Sequence, residues 1–218
     1  MLWVFDVNET MLDLTRLDEV FSRHTGRVGL VQQWFELLIH AALVSAATGE
    51  YHDFAQLGAD SARAITRASG VEFDDSALAE LAATMRSLPA HPDVADGLAA
   101  LRAHGHRLVA LANSPHAVVD TQLAHAGLAE LFDRIYSVED AGALKPAPAP
   151  YRHVLDTEQT DAHQAVMVAA HDWDIAGAQA VGMRTVFVAR GNRTPLPAWP
   201  APDAVIPDLT SAATALPD

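Results

Sequence analysis

From residue 93 onward, short apolar runs alternate with segments of helical periodicity, and this alternation constrains the fold more than any other feature. The apolar runs have the length of buried strands and lie at 107–112, 135–138, 165–169, 185–189 and 204–206. A further run at 2–6 supplies a strand near the N-terminus. Strands that alternate with helices are typical of a parallel sheet covered by helices on both faces. The sequence therefore predicts an α/β fold with a Rossmann-like, doubly wound parallel sheet as its core.

The stretch between the first strand and the others has helical periodicity and no strand-like alternation. Helices are predicted at 28–48 and 53–69, and Asp74-Asp75-Ser76 are N-cap candidates for a third. Because this block interrupts the strand–helix alternation, we interpret residues 14–89 as an inserted all-helical cap. Residues 1–13 and 90–218 then form the Rossmann-like core.

Composition excludes several classes of function. The net charge of −14 argues against nucleic acid or an anionic membrane as the main partner. Without cysteine, thiolate catalysis, disulfides and cysteine metal sites are excluded. The apolar stretch 37–47 is too short to span a bilayer. The N-terminus lacks a basic region and a cleavage site, so a cytoplasmic location is expected. No GxGxxG, P-loop or HExxH pattern supports a nucleotide cofactor or a catalytic zinc.

Polar residues follow successive strands of the predicted sheet. Asp6 follows the first strand, Asn113-Ser114 the second and His171-Asp172-Trp173-Asp174 the fourth, while Lys145, the only lysine, lies after the third. Each has an ordinary structural explanation, since Asp caps turns, Asn-Ser-Pro forms turns and a loop lysine is commonly solvated. Ligands of open parallel sheets bind at the carboxyl ends of the strands. The occurrence of all these groups at strand ends therefore indicates one site.

These residues resemble the motifs of the haloacid dehalogenase superfamily, and within it those of the L-specific 2-haloacid dehalogenases. Asp6 and Thr10 match strand-Asp-x-x-x-Thr, and LVALANS keeps the Asn of the second motif as Asn113. The third motif matches AGALKPAPAPY, which contains Lys145 and Tyr151, and the fourth matches VMVAAHDWDIAGA, which contains Trp173-Asp174.

The resemblance implies a hydrolase that needs no cofactor and acts on a small anion, a short 2-haloalkanoate. Asp6 would displace halide and form an aspartyl ester, and Lys145 would orient Asp6 and keep it ionised. Water activated near Asp174, together with His171, would hydrolyse the ester. With Thr10, these are the expected catalytic residues. The resemblance also implies a homodimer, for which the helix at 28–48 is the candidate surface.

A magnesium-dependent phosphatase of small metabolites is the first alternative. That chemistry needs Mg²⁺ and a second Asp, two residues after the first, as the general acid. Asn8 occupies that position, and Ala169-Ala170 replace the Gly-Asp pair of the phosphatase fourth motif. These two losses favour dehalogenation, since halide leaves without an acid. A catalytically weak binding protein with the same fold is the second alternative.

The substrate pocket departs from the resembling enzymes. Asn8-Glu9 replace their Tyr-Gly, and Phe35 follows Trp34 where they carry Arg. Ala112 and Ala169 stand in place of hydroxyl residues. Glu9 is either a cap of the loop or a second base, and we favour the cap. For His171, both a catalytic and a structural role stay open. Aromatic residues at helical spacing are also typical of a core. The expected substrate-binding residues are Asn8, Glu9, Asn113, Ser114, Trp34, Phe35, Tyr151 and Trp173.

Overall fold

A six-stranded parallel sheet forms the centre of the protein. The computed structural model describes residues 1–68 and 70–216, so Ser69 and residues 217–218, which the predicted helix and core ranges include, lie outside it. The strand order is β3-β2-β1-β4-β5-β6, and neighbouring strands are parallel throughout. This confirms the predicted α/β fold. The strands are β1 (Leu2–Phe5), β2 (Arg107–Ala112), β3 (Arg134–Ser137), β4 (Ala165–Ala169), β5 (Arg184–Val188) and β6 (Ala204–Ile206).

Eight α-helices accompany these strands in the described part of the chain. Between β1 and β2 come α1 (Leu17–Thr25), α2 (Leu30–Thr48), α3 (Phe54–Ala68), α4 (Asp75–Met85) and α5 (Val94–Ala103). Between or after the later strands come α6 (His116–His125), α7 (Pro148–Thr157) and α8 (Asp172–Ala180). The predicted N-cap of α4 is confirmed, since the Asp74 side chain accepts a hydrogen bond from the Ala77 N–H.

The start of α8 differs from the expectation. The sequence pattern predicts a helix over 174–181, whereas the helix begins at Asp172 and has His171 as its N-cap. Asp172 and Asp174 thus lie in the first helical turn. Carboxylates are favourable there because the unpaired N–H groups of a helix start carry partial positive charge. One consequence is that α8 presents its first turn to the site at the sheet edge.

The two faces of the sheet bury different side chains, as the alternation of a strand requires. Trp3 and Phe5 belong to the larger core, together with α5, α6 and the helices α1–α4. Leu2 and Val4 belong to the smaller core on the other face, which α7 and α8 cover. Helices therefore pack on both faces, and the carboxyl ends of the strands lie open between the two layers.

The segments that join helices α1–α4 to the sheet run side by side. The Asp13 N–H donates to the Pro89 carbonyl at 2.9 Å, and the His91 N–H donates to the Met11 carbonyl at 2.9 Å. This paired crossing lies at the boundaries predicted for the cap, although the division into two domains stays a prediction.

Helix α2 is long and apolar enough to cross a membrane by length and composition, and about a third of it is buried here. Its residues Leu30, Trp34 and Leu38 pack in the larger core. The expectations of no membrane partner and of a dimer through this helix stay predictions.

Candidate active site

One buried ammonium group joins two carboxylates at the carboxyl end of the sheet. Lys145 Nζ donates to Asp6 Oδ1 at 2.9 Å and to Asp174 Oδ2 at 2.6 Å. Its third hydrogen bond goes to the carbonyl of Leu111 at 2.9 Å. The Lys145 side chain is fully buried, so three acceptors satisfy an ammonium group that water does not reach. The structure thus brings together Asp6, Lys145 and Asp174, which lie far apart in the sequence.

Thr10 holds the other oxygen of Asp6. Its hydroxyl donates to Asp6 Oδ2 at 2.6 Å and accepts from the Ala170 N–H at 2.9 Å. The chain can turn back in this way because the Met11 and Leu12 N–H groups both bond to the Val7 carbonyl. Asp6 itself extends β1, since its N–H donates to the Val168 carbonyl. The carboxylate is therefore fixed from the backbone and from both of its oxygens.

Asp174 is enclosed by the protein on all sides. Its side chain is 0% exposed. Oδ2 accepts from Lys145, and Oδ1 accepts from the Tyr151 hydroxyl at 2.6 Å. Tyr151 is itself fully buried, so it supports Asp174 and does not face a substrate cavity. Burial and the Asp174 charge raise the pKa of Tyr151 well above its usual range, which keeps this hydroxyl a hydrogen-bond donor.

His171 lies between Asp6 and Glu9 in a row of alternating charges. Its Nδ1 is 3.2 Å from Asp6 Oδ2, and its Nε2 is 2.9 Å from Glu9 Oε2. Arg193 then binds Glu9 with two hydrogen bonds, of 2.9 Å to Oε2 and 3.0 Å to Oε1. The favoured interpretation of Glu9 as a backbone cap therefore differs from the structure, because both of its carboxylate oxygens are engaged by cationic side chains.

These contacts set the charges of the site. Burial alone would raise the pKa of Asp6, but Lys145, His171 and Thr10 together hold it well below its usual range. Burial alone would lower the pKa of His171, yet hydrogen bonds and charge from Asp6 and Glu9 raise it to about 9. Burial alone would also lower the pKa of Lys145, but the charges and hydrogen bonds of Asp174 and Asp6 raise it. At neutral pH the site thus holds an ionised Asp6 between an ammonium and an imidazolium.

A small cavity of about 10 Å³ lies against the Asp6 carboxylate, with room for about one water molecule. One polar atom on it lacks a partner: Asn113 Nδ2 is buried without a hydrogen bond, while Asn113 Oδ1 accepts from the Lys145 N–H at 2.9 Å. Buried donors without partners are costly, so this amide is suited to an anion. The cavity is lined by Asp6, Asn8, Phe35, Ile39, Phe54, Ala112, Asn113, His171 and Trp173.

The orientation of Asn8 is fixed by a residue that the sequence analysis missed. Gln122 Nε2 donates to Asn8 Oδ1 at 3.1 Å, and Asn8 Nδ2 donates to the Ser114 hydroxyl at 3.2 Å. Gln122 is fully buried and also donates to the Met85 carbonyl. A signal existed, because position 122 falls on the buried stripe of α6 with Val119 and Leu123.

Not every expected substrate-binding residue reaches this cavity. Asn8, Phe35, Asn113 and Trp173 line it, whereas Glu9, Trp34, Ser114 and Tyr151 do not. The Trp34 indole donates to the Gly58 carbonyl within the helical core. Arg193, which holds Glu9, had no sequence signal at all. It follows β5 in an irregular loop, where no periodicity relates it to the strand ends.

The donor set of this site does not fit a magnesium ion. Mg²⁺ prefers several carboxylate and water oxygens in octahedral geometry, but Lys145 and His171 already occupy the space between and beside the carboxylates. Within the described residues there is no group of three or more His, Cys, Asp or Glu side chains arranged to hold a metal.

The comparisons with known proteins agree with this geometry. Residues 2–182 match the model of the haloacid dehalogenase-like hydrolases. The (S)-2-haloacid dehalogenase 1 of Pseudomonas sp. (strain CBS-3) is 27% identical over 195 residues, which cover 87% of this chain and 85% of that protein. The plasmid phosphoglycolate phosphatase of Cupriavidus necator is 35% identical over 119 residues, which cover 54% of this chain and 52% of that protein.

A solved structure shares the whole fold. The L-2-haloacid dehalogenase of Xanthobacter autotrophicus, with chloropropionic acid covalently bound, superposes with a TM-score of 0.88 at 24% identity. The superposition covers 98% of this chain and 96% of that one. The family match extends from β1 through α8 and so includes Asp6, Lys145 and Asp174. The chain therefore belongs to the haloacid dehalogenase-like hydrolases.

Proposed function

We propose that this hydrolase is a 2-haloacid dehalogenase that works without a metal and forms an ester at Asp6. The observation that carries the proposal is the ionised Asp6 carboxylate, which faces a small cavity and is paired with the buried ammonium of Lys145. The X. autotrophicus dehalogenase with covalently bound chloropropionic acid supports the proposal, since a covalent adduct is what a carboxylate nucleophile forms.

In the first step an Asp6 oxygen attacks the carbon that bears the halogen. A carbon–oxygen bond forms, the carbon–halogen bond breaks, and halide leaves with the bonding electrons. Halide needs no proton to leave, so the replacement of a general acid by Asn8 does not impede this step. In the second step, water attacks the ester carbonyl of Asp6. The 2-hydroxyacid then leaves, and Asp6 regains its carboxylate with one oxygen from water.

The substrate is a carboxylate anion, and hydrogen-bond donors line the cavity that it enters. Asn113 Nδ2 has no hydrogen-bond partner among the described residues, and the Trp173 ring lines the same space. The imidazolium of His171 adds positive charge beside them. These groups favour a carboxylate, or the halide as it departs, and they compensate for the missing Arg at Phe35.

The size of the cavity favours the shortest substrates. An outer cavity of about 990 Å³ adjoins it, and Phe35, Ile39, His171 and Trp173 line both spaces. The cavity beside Asp6 has room for about one water molecule, so a haloacid enters only when side chains around it move. We expect acids of two or three carbons to react and longer chains to be excluded.

A phosphatase is the second candidate, because a phosphoglycolate phosphatase matches part of this chain at higher identity than the dehalogenases do. It requires a proton donor for the leaving oxygen. Asn8 cannot donate one at neutral pH, and its amide is already held by Gln122 and Ser114. Phosphoryl transfer is therefore less well supported by this site.

The experiment measures halide release from chloroacetate and L-2-chloropropionate in EDTA, with rapid-quench mass spectrometry of the Asp6 peptide. We expect halide release and a transient mass increment on Asp6. Asp6→Asn should lower turnover by about 10³-fold or more, since it removes the nucleophile.

Asp120→Asn is the matched control, because Asp120 is exposed on α6; it should leave turnover unchanged. Magnesium-dependent cleavage of phosphoglycolate, with no halide released from either acid, would establish the phosphatase instead. Ligand binding that survives Asp6→Asn, in a protein without turnover, would point to the binding protein.

A further inference from the structure

The second step needs a base for the attacking water, and the geometry of Asp174 excludes it from that role. Both Asp174 oxygens already accept short hydrogen bonds, from Lys145 and from Tyr151. Its side chain is 0% exposed, and it does not line the cavity beside Asp6. A water molecule in that cavity thus has no direct path to an Asp174 oxygen.

His171 is the remaining candidate. Apart from Asp6 itself, it is the one titratable side chain among the described residues on this cavity. Its Nδ1 points to the Asp6 side, while Glu9 holds Nε2. Nδ1 therefore faces the carbonyl carbon at which the ester is hydrolysed.

We propose that His171 is the base for ester hydrolysis and that Glu9 and Arg193 are positioning residues that hold its ring, an inference that rests on the proposed function. Glu9 fixes the Nε2–H tautomer, so that the lone pair of the neutral ring lies on Nδ1, as a carboxylate does for histidine in hydrolase triads. Arg193 holds Glu9 through a bidentate ion pair, the most directional arrangement available to a guanidinium and a carboxylate.

The backbone at Glu9 shows that this arrangement is maintained at a cost. Glu9 has a φ of +61°, in the left-handed region that favours glycine and is uncommon for other residues. The side chain that this conformation presents makes hydrogen bonds to His171 and Arg193. Strain of this kind typically occurs at functional sites.

Ester formation itself switches the base on. In the free enzyme, Asp6 and Glu9 contact the ring directly, Arg193 acts on it through Glu9, and Lys145 and Asp174 act through Asp6. When Asp6 becomes an ester, one of the two negative charges that stabilise the imidazolium disappears. Nδ1 then releases its proton to solvent, because the remaining charges no longer favour the cation to the same degree.

The proton balance of hydrolysis follows. Neutral Nδ1 takes a proton from water as the water oxygen bonds to the Asp6 carbonyl carbon. The bond from that carbon to the ester oxygen breaks, and the departing oxygen receives the proton from Nδ1 as the 2-hydroxyacid. The Asp6 carboxylic acid then gives its proton to Nδ1, which restores the imidazolium and the carboxylate.

The experiment separates the two steps with L-2-chloropropionate as the probe. The intact protein is mixed with substrate and quenched rapidly. The quenched samples give the chloride burst, and their digest gives the mass of the Asp6 peptide. In His171→Gln, the first turnover should still release chloride, while hydrolysis slows by about 10²–10⁴-fold and the ester accumulates. Glu9→Gln and Arg193→Gln should accumulate ester to a smaller extent, and Arg193→Lys should restore part of the rate with its single ammonium.

Two further variants keep the result interpretable. Glu9→Gly relieves the backbone strain, so it should fold well and still accumulate ester. Arg107→Gln breaks an Arg–Glu pair at the opposite end of the sheet, where Arg107 Nη1 and Glu158 Oε2 are 2.7 Å apart; it should accumulate no more ester than the wild type. The pH dependence of single-turnover hydrolysis should disappear in His171→Gln, a change that a merely structural role does not produce.

Equal slowing of chloride release and hydrolysis in the Glu9, Arg193 and His171 variants, or no more ester in these variants than in the wild type, would overturn the inference while the proposed function stands. A wild-type protein that releases no halide from any 2-haloacid would overturn the proposed function, and this inference with it. The two failures are distinguishable because only the second is seen in the wild-type protein.

Discussion

The imidazolium of His171 stabilises the folded protein as well as the site. Its ring lies between the Asp6 and Glu9 carboxylates at hydrogen-bond distance from both. It also stacks on Trp173, with ring centroids 5.1 Å apart. Removing either carboxylate would leave a buried cation with one partner, which costs far more than the loss of an exposed pair. The same contacts that prepare catalysis therefore make folding depend on the charge of one residue.

That dependence predicts how stability changes with pH. The pKa of His171 is about 9 in the folded protein, against 6.5 ordinarily. A group whose pKa is raised by folding stabilises fully below its unfolded pKa, and the stabilisation is lost as the pH rises through the folded pKa. The free energy of unfolding should thus lose about 3 kcal/mol from this residue between about pH 6 and about pH 10.

Urea denaturation of the wild-type protein and of His171→Gln measures this contribution as the difference between the two. The difference should shrink across that pH range, because the variant lacks the titrating ring while its other groups titrate alike. A difference that stays level with pH would mean that His171 has an ordinary pKa in the folded protein.

The sequence predicted which residues lie at the carboxyl end of the sheet, but not how they pair. Asp6, Lys145 and Asp174 could be placed together because strand ends are readable from apolar runs. The pairing of Glu9 with Arg193 joins positions 184 residues apart through an irregular loop, and no periodicity encodes such a contact. Tyr151 was expected at the substrate but supports Asp174, because a motif identifies a residue without showing which way its side chain points.

At the scale of elements, the central strands β1, β2, β4 and β5 were predictable because they are buried on both faces and so read as nearly continuous apolar runs. Strands β2, β4 and β6 have the predicted bounds, and β3 begins one residue earlier than expected. The start of α8 was not predictable in the same way, because the apolar residues around Asp172 and Trp173 show no helical periodicity. In the structure the Asp174 and Ile175 N–H groups donate to the His171 carbonyl, and these bonds start the helix at Asp172.

Helix α8 approaches α7 and the Lys145 loop so closely that Gly177 has no room for a side chain. A Cβ there would lie 2.6 Å from the Tyr151 hydroxyl oxygen and 2.9 Å from the Pro146 carbonyl oxygen. Gly177→Ala should lower the free energy of unfolding by about 1–3 kcal/mol through overpacking. It should also lower halide release, because the Tyr151 hydroxyl is displaced from Asp174.

Gly58→Ala is the matched control, as another buried helical glycine. A Cβ at Gly58 would meet Trp34 at 3.6 Å and Leu38 at 3.8 Å, which are ordinary contacts. Its higher helix propensity should raise the free energy of unfolding by up to about 1 kcal/mol. Urea denaturation compares the two variants, and a Gly177→Ala protein as stable as the wild type would show that α8 can shift without cost.

At the scale of the whole molecule, helices α1–α4 and the sheet share one hydrophobic core. Trp3 and Phe5 of β1 belong to the same buried cluster as Phe21 and Trp34 of the helical region. Phe35 of α2 reaches the cavity beside Asp6, and its ring centroid lies 5.7 Å from that of His171. The site thus forms only when the helical region and the sheet are packed together, so activity reports on both.

A shared core predicts that the protein unfolds in one cooperative transition. Separating the helical region from the sheet would expose Trp34, Phe35 and the apolar side chains around them to water, and that exposure costs about 25 cal/mol for each Å² of apolar surface. Hydrogen exchange in increasing urea, followed by mass spectrometry, tests this directly.

The slowest amides of α2 and of β4 should exchange with the same free energy and the same urea dependence, as for a two-state domain. Amides of α2 that open at clearly lower free energy than those of β4 would instead show that residues 14–89 unfold as a separate unit. The paired crossing of residues 11–13 with 89–91 would then act as a hinge between two independently stable domains.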